Sequence, residues 1–451
     1  MKYFVLPVLI LLSAPAYSQT HKSETTKITN EILTHGKAYS DLTDLLKGGP
    51  RLTGSKGAEN AVNWSVEKMK SYGFDKVWIQ SVMVPKWERG NKSEAVMVVD
   101  GKKTVLNAAA LGKSVGTPEK GLTAEIIEVK SLKEVDSLGE KVKGKIVFYS
   151  RPFDEKLVNT FSAYSGAVDQ RSGGASQAAK YGAVAVLVRS MTNRTDLHPH
   201  TGLMTYTDGV PKIPGIAIST KDADQLSGLL NAGKSPKVKL NFNCKIFPDI
   251  QSHNVIGEIK GTVFPDEIIT VGGHLDSWDL SNGAHDDGAG CVQSIEVLRA
   301  FKALGIKPKR TIRAVMFMSE EVGGIGGDEY AKQAKLKNEK HYAAIESDRG
   351  GFTPRGITVQ STDSVFKKVE SWKPYFSDIF ADYIVKGGSG TDIAPLASTG
   401  TALFGYFPDP QRYFDYHHSD NDNIDAVNPR ELHLGAASMA ILVYLLSEEG
   451  L

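Results

Sequence analysis

The chain has 451 residues, 41% hydrophobic and 23% charged, with 44 Gly and 19 Pro, which suits about two or three globular domains and excludes a collagen-like, coiled-coil or largely disordered protein. Lys and Arg number 53 against 52 Asp and Glu, and loss of Lys2 with a leader would leave 52 against 52. That balance speaks against nucleic acid or an anionic membrane as partner, since both call for a basic excess.

Residues 1–18 read as a secretory signal: Lys2 is the charged start, residues 3–12 form an apolar run, and Ala16-Tyr17-Ser18 is a small-x-small cleavage site. The run is too short for a membrane span, which needs about 20 residues, so a secreted or periplasmic protein is expected. After a polar start, Ala58, Val62, Val66 and Met69 share one face of a surface helix over 57–72, and Gly73 stands where a helix stops. The stretch 74–84 alternates like a strand that Pro85 should end. From about 101 to 245, short β-like runs at 126–129, 146–149, 183–188, 216–218 and 238–242 alternate with Gly-rich turns, the texture of a separate inserted module. Cys244 and Cys291 fall in different surroundings, so both are expected as buried thiols.

A third region starts near Ser252. Strands at 255–259, 268–272, 311–318 and 343–345 alternate with helical stretches near 288–303 and 326–335, the pattern of an α/β sheet covered on both faces. Ligands are then expected at the carboxyl ends of the strands, and acids and imidazoles concentrate there. One strand runs into His274 and Asp276, and Asp286-Asp287 opens the next helix. Two further strands end in Glu320-Glu321 and in Glu346-Ser347-Asp348, and His417-His418-Ser419-Asp420 follows near the end of the chain.

Imidazoles and carboxylates without a thiolate form a ligand set that suits zinc, with three protein ligands per ion leaving a position for water. Two His and three carboxylates are enough for two ions that share one carboxylate. Of the adjacent Glu320 and Glu321, one can bind metal while its neighbour accepts a proton from water. Asp276, two residues from His274, is placed to hold the other imidazole nitrogen.

The phrases GGHLDSWD (272–279), GAHDDGAG (283–290), SEEVGGIG (319–326), ESDRG (346–350) and YHHSDND (416–422) resemble, in order, the five metal blocks of the co-catalytic zinc exopeptidases. RLTGSKGAENAV (51–62) extends the likeness, and PHTGLMTYTDGVPKIPGIAIS (199–219) is similar to the carboxypeptidase Q group in particular. The resemblance implies an α/β fold, a mixed central sheet flanked by helices, with an inserted β-rich protease-associated-like domain. Residues 19–100 and 246–451 would form the peptidase and 101–245 the insert, which would shape the cleft without doing chemistry.

It further implies two Zn2+ per chain. Asp286 would bridge them, His274 and Asp348 would complete one set, and Glu321 and His418 the other, with His417 as the fallback. Glu320 would be the general base acting on a metal-bridging hydroxide, and the substrate a dipeptide or short peptide. Arg349, Gly390, Asp392 and Tyr416 are candidate substrate contacts, and a homodimer is the implied assembly. Two competing readings share this core, a glutaminyl cyclase-like acyltransferase and a catalytically silent binding protein.

Overall fold

The computed structural model describes residues 21–451; the signal-like segment 1–18 lies outside them. Two eight-stranded sheets organise the chain. The first runs, in spatial order, Lys76–Glu88, Lys245–Ile259, Arg310–Phe317, Phe264–His274, Lys340–Glu346, Ala402–Pro408, Pro354–Gln360 and Tyr383–Lys386. Its four middle strands are parallel, so they point the same ends at the same edge. Phe264–His274 comes first in the chain among these four, yet has Arg310–Phe317 on one side and Lys340–Glu346 on the other. The order therefore reverses at this strand, and the crevice beyond its carboxyl end is a topological switch point.

Apolar surface covers both faces of this sheet. Helix Ala289–Ala303 is buried through Phe301, and the last helix, Pro429–Glu448, is buried from Gly435 to Ser447. Being apolar all round, that helix lacks the one-sided periodicity of a surface helix. Helix Lys22–His35 packs on it through Ile28 and Ile32. Helix Lys56–Ser71 buries Ala58, Val62 and Met69, is capped by the Ser55 side chain accepting from Ala58 N–H, and gives way to Gly73 at φ +68°.

Pro85 does not end its strand, which continues to Glu88. The strand lies at the sheet edge with one neighbour and has a register shift between Val84 and Lys86, so the missing N–H costs no ladder bond. Ile79 of this strand is exposed.

The second sheet runs Lys102–Val105, Ser93–Val99, Lys237–Phe242, Leu122–Val129, Ile146–Tyr149, Ala185–Arg189, Gly215–Ile218 and Ala108–Ala110. It takes in Ser93–Val99, which the sequence reading left with the N-terminal part; pairing with both Lys102–Val105 and Lys237–Phe242 draws that strand in. One face packs its Val147, Tyr149 and Val188 with Phe352, Tyr413 and Phe414 of the C-terminal region, and the other packs Phe148, Leu187 and Leu240 with Trp87 and Trp278. The insert thus shares both its cores with the peptidase loops. Cys244 and Cys291 are buried free thiols, and among the described residues no helix is long and apolar enough to cross a membrane.

Candidate metal centre

Glu321 and Asp348 lie just past the carboxyl ends of the parallel strands Arg310–Phe317 and Lys340–Glu346, Asp286 opens the next helix, and His418 lies in the loop after Ala402–Pro408. His274 is the last residue of its strand. Its Nε2 lies 3.1 Å from Asp286 Oδ1 and 3.3 Å from Asp348 Oδ1. Asp286, four percent exposed, turns its second oxygen to His418 Nε2 at 3.3 Å, and the same nitrogen is 3.0 Å from Glu321 Oε2. His417 stacks on His418 with ring centroids 3.5 Å apart, and its Nε2 stays 3.9 Å from Asp286. His418, not His417, thus meets both Asp286 and Glu321.

The charge pattern calls for cations. Burial and the Asp286, Glu320 and Asp276 charges raise the Glu321 carboxyl well above its usual range, against His274. Burial with Asp348, Asp276 and Asp286 pushes Glu320 up to about 8, again against His274. Burial also raises Asp348, with Asp286 adding to it. Asp286 goes the other way: against burial, His274, His418 and His417 hold it below its ordinary value. Asp286 Oδ2 and Glu321 Oε1 are buried without a hydrogen-bond partner, a costly state that a cation relieves. The sets His274–Asp286–Glu321 and Asp286–His417–His418 each bring three ligand atoms within 4.8 Å of one another, as does His274 with Asp287 and Asp348. These residues fit metal binding.

Supporting contacts differ from the sequence reading at Asp276. Its main-chain carbonyl, not its carboxylate, is the close partner of His274 Nδ1, at 3.0 Å against 3.8 Å. The carboxylate accepts from Ser319 N–H (2.8 Å), Glu320 N–H (3.1 Å) and the Thr53 hydroxyl (2.5 Å), because the Ser319–Glu320 turn points its amides there. Residues that sequence reasoning left without a role complete the frame. Arg51 donates to the Leu275 and Gly283 carbonyls, Asp422 accepts from the His285 and Asp286 amides, and Asp287 accepts from His274 N–H and Gly290 N–H. Asp287 and Asp422 were legible as members of acidic blocks; Arg51 had only its place in the RLTGSK phrase.

A cavity of about 570 Å³ opens over Asp286, Glu320, Glu321, Asp348 and the two imidazoles, walled by Tyr413, Phe414 and Thr391 and by Phe161, Tyr164, Arg171 and Leu203 of the insert. A larger cleft of about 960 Å³, beside helix Lys56–Ser71, contains none of the clustered ligands. Among the expected substrate contacts, none lines the smaller cavity. Asp392 is fully buried beneath it. Gly390 lies flat on Glu346, whose carboxyl carbon a Cβ would approach to 2.2 Å. Tyr416 packs on His285 and Phe352 and accepts from Arg412. Arg349 lies over Phe161 and Phe407 and donates to the Gly388 carbonyl. All four lie in loops or turns, where nearness in sequence to a ligand does not fix which way a side chain points.

The sequence model described as Peptidase family M28 matches residues 254–443, and that of the PA domain residues 103–226. Carboxypeptidase Q of Bos taurus is 35% identical over 433 residues, covering 95% of this chain and 90% of the relative. The chain belongs to peptidase family M28. The crystal structure of a peptidase M28 precursor from Shewanella amazonensis superposes with a TM-score of 0.91 at 33% identity, covering 95% of this chain and 96% of the other. A zinc aminopeptidase from Bacillus subtilis shares the fold, with a TM-score of 0.66 at 22% identity over 93% of this chain and 97% of its own. The M28 chain is a metallopeptidase, an exopeptidase related to carboxypeptidase Q.

Proposed function

We propose that this M28 chain is an exported di-zinc exopeptidase that hydrolyses dipeptides or short peptides. The observation that carries the reading is Asp286 spanning the two imidazoles, 3.1 Å from His274 and 3.3 Å from His418. His274, Asp286 and Asp348 would hold one ion, and His418, Asp286 and Glu321 the other. Zinc bound there supplies Lewis acidity, polarising a peptide carbonyl and making water a nucleophile at neutral pH. Glu320 lines the cavity beside these ligands and is the base that takes the proton of the attacking water and passes it to the leaving amine.

The size of the cavity and the wall that the insert adds to it support short substrates, and its aromatic side chains support apolar ones. Arg171 stands in that wall with its buried Nε unpartnered, which favours a substrate that brings a free carboxylate. The signal-like residues 1–18 support export.

The test is mass-spectrometric hydrolysis of a mixed dipeptide pool, each member free, N-acetylated and C-amidated, with and without a zinc chelator. Chelator-sensitive cleavage of free dipeptides is expected, with amidated forms cut more slowly. Failure to cleave any form would refute the dipeptidase reading.

A further inference from the structure

We propose that the inserted region positions a metal ligand: the Thr201–Gly202 segment clasps His418 and sets the ring that completes the second ion's site. The proposal rests on the two-zinc reading above and departs from a passive insert.

Two contacts form the clasp. Thr201 N–H donates to the His418 carbonyl at 2.9 Å, and the Thr201 carbonyl lies 3.3 Å from His418 Nδ1. A neutral imidazole that offers Nε2 to a cation carries its proton on Nδ1 and needs an acceptor there. The Thr201 carbonyl is that acceptor. Arg171 Nη1, also 3.3 Å from Nδ1, serves the opposite tautomer, in which Nε2 keeps its proton for Glu321. A cation at Nε2 therefore selects the bond to Thr201.

The clasp is itself braced. The Thr201 hydroxyl donates to the Ala110 carbonyl at 2.8 Å, and Gly112 N–H donates to the Gly202 carbonyl at 2.8 Å. Arg89, paired with Asp279 at the end of the His274 block, reaches the same hydroxyl at 3.4 Å. Gly202 sits at φ +128°, where a Cβ would stand 2.6 Å from His418 Nδ1 and 2.3 Å from Arg171 Nη1. No other residue type lets the segment pass so close to the ring. His418 itself is held at φ +61°, a conformation that a non-glycine residue adopts only when its surroundings impose it.

The test is zinc titration of the apo-protein against a chromophoric chelator, for the wild type, Gly202→Ala and Thr201→Val. The wild type is expected to bind two ions. In Gly202→Ala one affinity should stay within about threefold of wild type, while the other falls about 10–100-fold, the usual cost of losing an outer-shell partner. Thr201→Val, which keeps the carbonyl and removes its brace, should show a smaller loss at the same ion. A general loosening of the fold would weaken both ions together and so counts against the clasp. Hydrogen exchange of the wild-type 200–204 segment needs no variant: zinc should slow it about tenfold or more. Unchanged exchange, or two wild-type affinities in a folded Gly202→Ala protein, overturns the proposal alone. A wild type that takes up no zinc overturns the metal reading and this proposal with it.

Discussion

Replacing Asp276 separates two jobs that a carboxylate can do in this site. The side chain is fully buried, and its oxygens accept from the Ser319 and Glu320 amides and from the Thr53 hydroxyl. Asp276→Ala leaves two buried N–H groups unpaired at about 1–3 kcal/mol each. It also frees Ser319, held at φ +76°, from a conformation that costs a non-glycine residue about 1–2 kcal/mol. The net loss of stability is then about 3 kcal/mol, read from urea unfolding. Asp276→Asn keeps one oxygen for both amides and should lose only about 1 kcal/mol. Because the tether fixes the turn that carries Glu320, the Ala variant should lose about 100-fold in kcat, the effect of a misplacement near 1 Å. Zinc affinity should stay within about threefold in both variants, since the partner of His274 Nδ1 is the main-chain carbonyl that both retain. A 10–100-fold loss of zinc affinity with normal turnover at saturating zinc would refute this division of labour and return the carboxylate to His274.

Glu320→Gln should keep both ions, by metal analysis, and lose about 10²–10⁴-fold in kcat, because the amide cannot take a proton; near-normal turnover would remove Glu320 from the mechanism. Glu339 offers a pH test away from the site: although burial alone would raise it, the His341 ring 3.4 Å away and hydrogen bonds from Arg313 hold its carboxyl down to about 2. A depressed pKa gives stability that is present above the unfolded value near 4.5 and lost as pH falls from there toward 2. Glu339→Gln should thus cost about 2 kcal/mol at pH 7, after allowance for the water that reaches the pair, and progressively less below pH 4.5; a constant difference across urea melts at pH 3 and 7 counts against it. Zinc at about 100 times its Kd should add about 2.7 kcal/mol per ion, so a chelator should lower the thermal midpoint, and an unmoved midpoint would speak against metal in the folded site. Arg171→Gln should raise KM about tenfold or more for free dipeptides and leave C-amidated ones unchanged; equal effects on both would remove Arg171 from carboxylate recognition.

The inner strands and their exits were legible in the chain. Residues 146–149 and 216–218 are apolar runs between turns, and the structure covers them on both faces, so composition alone marks them. The blocks at His274, Glu320-Glu321 and Glu346-Asp348 could be read for the same reason, since each ends or directly follows such a strand; Asp286 and His417-His418 stood out by residue type alone. Helices Lys22–His35 and Pro429–Glu448 were not foreseen; the first hides its apolar side in a polar stretch, and the second, buried all round, shows no stripe. Pro85 looked like a stop until the sheet placed it at an edge, where its missing N–H has nothing to pair with.

Local sequence determined which residues leave the parallel strands carrying nitrogen and oxygen ligands, because hydrophobic runs and turn residues act over a few neighbours. Only the tertiary structure decided which side of each exit faces the cavity, turning Asp392 and Tyr416 away from it and bringing Thr201 and Arg171 from the insert to His418. Those contacts join residues more than 200 positions apart, and the packing of two shared cores, which no local signal encodes, brings them together.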